Sequence, residues 1–181
     1  MKVIFLDIDG VLNHNRTRDR VGGFLGLNPE LIRRFNRIID ACPDVKVVVS
    51  STWRYCYAAG VYRDFAGLVG LLKSRGLQGD IIGHTPFPVS AGGGWSLGSS
   101  YRSRGNEIRD YLSSHPEVER FVVLDDDSSG MKPDMKPVWV EAEKNYKTKP
   151  TQVDLRPHWI RTSGQNGLKE IHVQRAIRML S

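Results

Sequence analysis

An apolar, β-rich run, Lys2-Val3-Ile4-Phe5-Leu6, ends directly in Asp7-Ile8-Asp9-Gly10. A buried strand tipped with two carboxylates one residue apart constrains this chain more than any other segment. Ligands of open α/β sheets bind outside the carboxyl ends of the strands. One carboxylate of such a pair can serve as nucleophile and the other as acid and base. A second run, Phe121-Val122-Val123-Leu124, ends in Asp125-Asp126-Asp127. If the two strands are parallel neighbours, their acidic tips crowd one edge of the sheet. Such a cluster raises its own pKa values unless a cation sits there. Oxygen donors with no adjacent His or Cys favour a hard ion, and Mg²⁺ suits phosphate chemistry.

Two further segments complete a candidate site. Val45-Lys46-Val47-Val48-Val49 ends in Ser50-Ser51-Thr52-Trp53-Arg54, where small hydroxyls and free N–H groups at a strand tip can hold phosphoryl oxygens. Arg102-Ser103-Arg104-Gly105-Asn106-Glu107 opens the helix before the second acidic strand, and an arginine there can neutralise a transferring phosphoryl group. The candidate catalytic residues are Asp7 and Asp9, with a hydroxyl of the Ser50-Ser51-Thr52 turn and an arginine of the helix start, Arg102 or Arg104. Gly10, Thr52 and Arg54 are candidate substrate contacts. Ser50 is the alternative to Ser51, and Arg54 or Arg102 the alternative to Arg104.

The elements between these tips alternate as β-α-β-α-β-α-β, followed by an insert and a closing β-α. Asn28-Pro29-Glu30 is a helix start, with a capping side chain, a proline at the first position and an acid in the first turn. Leu31, Phe35, Ile38 and Ile39 then give a helical stripe. A second helix is expected from near Tyr62 to Arg75, a strand at Asp80-Ile81-Ile82-Gly83, and a third helix from about Asn106 to Ser114. Alternation of this kind predicts an α/β fold with a doubly wound parallel sheet, in one domain over 1–181. Residues 13–27, arginine-rich with Gly22-Gly23, read as a flap of hairpin size, and Gly92-Gly93-Gly94-Trp95 as another loop. Residues 131–157 read as an irregular insert. Neither covering segment is long enough for an independent cap domain, so a minimal cap is expected.

The order Asp7-x-Asp9, Ser51, Arg104, Asp125-Asp126 resembles the four motifs of the haloacid dehalogenase (HAD) superfamily. The local wording (FLDIDGVLN, VVVSSTWR, IIGHTP, RGNEI, VVLDDD and a late Gly-Leu) is similar to the HAD domain of Swiss Army knife RNA-repair proteins. The stretch between Asp127 and Trp159 is longer than that pattern. The resemblance implies a Rossmannoid HAD-like fold and a Mg²⁺-dependent phosphomonoesterase working through an aspartyl-phosphate. It places the nucleophile at Asp7 and the acid and base at Asp9. Mg²⁺ would lie on Asp7, the Asp9 main-chain carbonyl and Asp126, with Asp125 in support. Ser51 and Arg104 would bind the non-bridging oxygens.

With 26 Lys+Arg against 20 Asp+Glu, the chain carries +6, although several acids belong to the candidate site. Arg16, Arg18 and Arg20 form one basic cluster, and Lys132, Lys136, Lys144, Lys147 and Lys149 mark another region. Basic surface beside a phosphate site suits a polyanionic substrate, such as RNA or DNA ends. A small-metabolite phosphatase, and a non-catalytic nucleic-acid-binding module, are the alternatives. A glycosyltransferase also uses Asp-x-Asp, but after an amino-terminal nucleotide-binding unit, whereas this pair begins seven residues into the chain. The first apolar stretch is short and ends in aspartates, so neither a signal peptide nor a membrane span is expected. Cys42 and Cys56 lack metal spacing and fit reduced thiols in a cytoplasmic protein.

Overall fold

The computed structural model describes residues 1–59, 62–86, 103–133, 135–140, 145–150 and 153–181. The Gly92–Trp95 loop and Arg102 lie outside the described residues. Five parallel strands form the main sheet: β1 (Lys2–Leu6), β4 (Val45–Val49), β5 (Asp80–His84), β6 (Arg120–Asp125) and β9 (Trp159–Arg161). Their spatial order is β5-β4-β1-β6-β9, all parallel, with β1 at the centre. The doubly wound α/β architecture is as the alternation of elements predicts.

Register brings the tips together. Leu6 pairs with Val49 on one side and with Leu124 on the other. The next residues in each strand are therefore neighbours: Asp7, Ser50 and Asp125. The Asp7 N–H bonds the Leu124 carbonyl, and the Ser50 N–H bonds the Leu6 carbonyl, so pairing continues through the tips.

Strand alternation divides the core between the two faces of the sheet. Ile4 and Leu6 pack with α1 (Pro29–Ala41), α2 (Phe65–Ser74) and α4 (Glu170–Leu180), through residues such as Phe35, Leu68 and Val173. Val3 and Phe5 pack on the opposite face with Ile108 and Tyr111 of α3 (Arg104–Ser114), and with Met131 and Leu155. At the start of α1 the Asn28 side chain accepts from the Glu30 and Leu31 N–H groups, with Pro29 behind it.

Three sequence expectations change. The second helix begins at Phe65, where the Asp64 side chain accepts from the Gly67 N–H, so Tyr62 lies ahead of it. The third begins at Arg104, two residues earlier than expected, although Ser103 makes no side-chain cap. Its cap comes from elsewhere: Ser129 Oγ accepts from the Arg104 N–H and the Ser129 carbonyl from the Gly105 N–H. Finally, the insert expected to be irregular holds an antiparallel pair, β7 (Met135–Val140) and β8 (Asn145–Pro150). Pro137 and Pro150 interrupt the strand pattern in sequence, but every strand of a two-stranded sheet has an open edge that tolerates them. The flap carries a smaller hairpin of β2 (Arg20–Val21) and β3 (Phe24–Leu25) around Gly22-Gly23.

The remote cap of α3 requires glycine. A Cβ on Gly105 would stand 1.9 Å from the Gly130 carbonyl oxygen, a backbone atom with little room to yield. Gly105→Ala should force the helix away from this loop at about 1–3 kcal/mol, the usual scale of overpacking. For a chain of this size the melting temperature should fall by roughly 2–4 °C per kcal/mol, read by calorimetry.

Candidate active site

Asp7 follows β1 directly and is 4% exposed, with its carboxylate facing those that follow β1's neighbour β6. One carboxylate oxygen each from Asp7, Asp125 and Asp126 lie within 4.8 Å of one another. The Arg104 guanidinium stands against this group, 2.9 Å from Asp125 and 3.5 Å from Asp7. Burial pushes the Asp7 pKa up to about 6, against the opposing pull of Arg104 and of the Ser51 hydroxyl bonded to it. Burial, with Asp7 adding its charge, holds Asp125 well above the ordinary carboxylate range. Asp126 is raised by its partial burial and by Asp127 and Asp9. Burial works against the charge of Arg104, but Asp7, Asp125 and Glu107 outweigh it and raise its pKa.

These donors fit a hard divalent cation. All are carboxylate oxygens, and Asp125 Oδ2 is buried with no hydrogen bond among the described residues. The Asp9 side chain stands outside this group of carboxylates. It turns outward, where Oδ1 accepts from Asn13 Nδ2 at 2.7 Å and Oδ2 from Trp53 Nε1 at 3.0 Å. Both oxygens thus have a fixed direction. Gly10 has φ +68°, and a Cβ there would fall 2.4 Å from Asp126 Oδ2. Its N–H is already donated to Asn13 Oδ1. The glycine expected as a substrate contact therefore admits Asp126 to the site.

Ser51 and Ser50 are both fully buried, and they separate in role. Ser51 bonds Asp7 and accepts from the Trp53 N–H at 3.3 Å, while the Ser50 hydroxyl has no partner among the described residues. Thr52 is exposed beside Asp9, in a cleft it shares with Trp53.

Arg54 departs from its expected place at the substrate. Its side chain is 0% exposed and lies beneath the turn, donating to the Ser50 and Ser51 carbonyls at 2.6 and 2.7 Å and to Glu107 at 2.5 Å. Arg104, rather than Arg54, is the guanidinium beside the carboxylates. Glu107, one helical turn from Arg104, lies 3.9 Å from it and so links the two arginines. Arg16, Arg18 and Arg20 lie exposed on the flap, where Arg20 donates to the Thr17 and Asp19 carbonyls. Sequence reasoning assigned no role to Asn13, Trp53 or Glu107, although each stands inside a motif that carried the resemblance.

A family model described as the HAD domain in Swiss Army Knife RNA repair proteins matches residues 3–173. The chain belongs to this family. No curated protein and no solved structure matches it. Membership suggests phosphatase-type hydrolase chemistry for this HAD domain, and the buried aspartate group is compatible with it. None of the described helices is long and apolar enough to cross a membrane.

The raised carboxylates set the pH behaviour of the metal-free domain. A group whose pKa rises on folding binds its proton more tightly in the folded state. The Asp7 contribution to stability should therefore be fully present near pH 4 and below and be lost as pH rises towards 6, through the interval between its unfolded and folded pKa values. Asp7→Asn should flatten this fall in thermal melts. Mg²⁺ should raise the melting temperature strongly at pH 8 and weakly at pH 5, where protons compete for the same oxygens.

Proposed function

We propose that this HAD domain is a Mg²⁺-dependent phosphomonoesterase acting through an aspartyl-phosphate, on phosphorylated nucleic-acid ends or nucleotides. The observation that carries the reading is the pairing of two differently placed carboxylates, Asp7 and Asp9. Asp7 is buried against Arg104 and Ser51, and Asp9 is turned outward and held by two N–H donors.

Mg²⁺ held by Asp7, Asp126 and the Asp9 main-chain carbonyl, with Asp125 alongside, would neutralise charge on the phosphoryl oxygens and on the aspartates. A carboxylate oxygen of Asp7 attacks phosphorus, and the bond from phosphorus to the ester oxygen breaks. Protonated Asp9 gives its proton to that departing oxygen, which leaves as an alcohol. Asp9, now a carboxylate, takes a proton from water as the water oxygen attacks the same phosphorus. Inorganic phosphate leaves, and the Asp7 carboxylate and the Asp9 proton are restored. Ser51 and Arg104 hold the non-bridging oxygens, and the Arg104 charge opposes their developing negative charge.

Asp7→Asn should abolish phosphate release from p-nitrophenyl phosphate while the protein stays folded, and turnover near the wild-type rate would sink the assignment. Chelator should remove activity and Mg²⁺ restore it. Ca²⁺ should inhibit, because its larger and looser coordination shell disturbs the geometry of attack.

The basic surface supports a polyanionic substrate, and the flap arginines offer the means to test it. Arg20 is tied to the flap backbone, so the informative variant is Arg16→Ala with Arg18→Ala. Oligonucleotide affinity should fall steeply with salt in the wild-type protein. In the double variant the log–log slope should be shallower by about 0.7 for each single-strand phosphate that an arginine no longer neutralises. Equal slopes for oligonucleotide and p-nitrophenyl phosphate, unchanged in the double variant, would favour a small-metabolite phosphatase.

A further inference from the structure

A cleft of about 410 Å³ opens between the flap and the 3₁₀ segment Thr52–Ala59. Small-molecule sites usually occupy roughly 300–1,000 Å³. Asp9 reaches into this cleft, whereas Asp7, Asp125, Asp126 and Arg104 do not line it. The flap contributes Val21, Phe24 and Leu25. The facing wall is Thr52, Trp53 and Tyr62. Trp53 also donates its indole N–H to Asp9, and the Tyr62 hydroxyl bonds the Trp53 carbonyl, so this wall and the carboxylate are tied together.

Phe24 is the unusual member. It is 57% exposed, immediately after the Gly22-Gly23 turn of an arginine-rich flap. No Lys or Arg lines the cleft among the described residues, and Asp9 is its only charged group.

We propose that this cleft is the leaving-group subsite, and that it is shaped for a planar aromatic group: the base of the nucleotide that carries the scissile phosphate. The inference rests on the phosphomonoesterase reading, because a general acid must lie beside the oxygen that departs. The group attached to that oxygen therefore occupies the space bordering Asp9 on the side away from the buried carboxylates. A second phosphate would find no cation there. A polyol would meet walls that are mostly apolar. A nucleobase presents a π-face, which stacks on aromatic side chains whatever its sequence identity.

The test isolates the base. Asp7→Asn protein in Mg²⁺ buffer is titrated calorimetrically with adenosine 3′-monophosphate, adenosine 5′-monophosphate and ribose 5-phosphate. The better nucleotide should bind about tenfold more tightly than ribose 5-phosphate, on the scale of one base–aromatic stack. Phe24→Ala in the same background should remove most of that advantage. Phe24→Leu, which keeps apolar bulk without the ring, should do the same and guards against a flap that collapses on truncation. Equal affinities for nucleotides and ribose 5-phosphate, or an advantage that survives both Phe24 variants, would overturn the proposal. Turnover of p-nitrophenyl phosphate by the wild-type protein separates the two readings. Base-dependent binding without turnover leaves the cleft and removes the phosphatase, and turnover without base preference does the reverse.

Discussion

Everything at the carboxyl edge of the sheet depends on keeping like charges together in a buried place. Asp7 and Asp125 are 4% and 0% exposed, and their carboxylates share one small volume with that of Asp126. Repulsion at such range is worth several kcal/mol at the effective dielectric near protein charges. Arg104 offsets part of it by facing two of the three, while burial, with neighbouring negative charge, raises the pKa values of Asp7 and Asp125. Three carboxylate oxygens gathered in this way are compatible with a divalent cation.

Two arginines meet in this region with different tasks. Arg104 faces the buried carboxylates of Asp7 and Asp125. Arg54 is buried beneath the Ser50-Ser51 turn, and burial pulls its pKa down while Glu107 pushes it back up. Removing one partner of a buried pair typically costs about 3–5 kcal/mol, because the other charge is left unmatched. Glu107 therefore fixes the turn from below while also sitting one helical turn from Arg104. The turn that presents Ser51 and the helix that presents Arg104 share a single carboxylate.

The parts of the fold and site that were legible in the sequence were those signalled locally. Asp7, Ser51 and Asp125-Asp126 follow apolar runs, and a parallel register then makes them neighbours. Asn28-Pro29 announced its helix because the cap lies next to the turns it serves. What stayed hidden depended on distant partners. The start of α3 is capped by Ser129, far along the chain, and an Arg-Gly beginning carries no such signal of its own. Arg54 looked like a phosphate ligand because it stands near a candidate serine, and only the fold shows the carbonyls that occupy it. Asn13 and Trp53 acquire meaning through Asp9, which one approaches from within its own loop and the other from beyond the tip of the neighbouring strand.

The backbone approach between α3 and the loop after β6 has a mechanical consequence. Gly105 and Gly130 come so close that neither side can carry a side chain into the gap, and hydrogen bonds from the Arg104 and Gly105 N–H groups to Ser129 close the seam. The arginine and the acidic loop are thus parts of one rigid piece. A shift of the start of α3 would therefore carry the loop after β6 with it, and Asp125 and Asp126 would move with Arg104. The 13–27 segment stands apart from this seam, its two short strands joined to each other rather than to the main sheet. The border of the Asp9 cleft and the seam that joins Arg104 to the acidic loop therefore belong to different pieces of the chain.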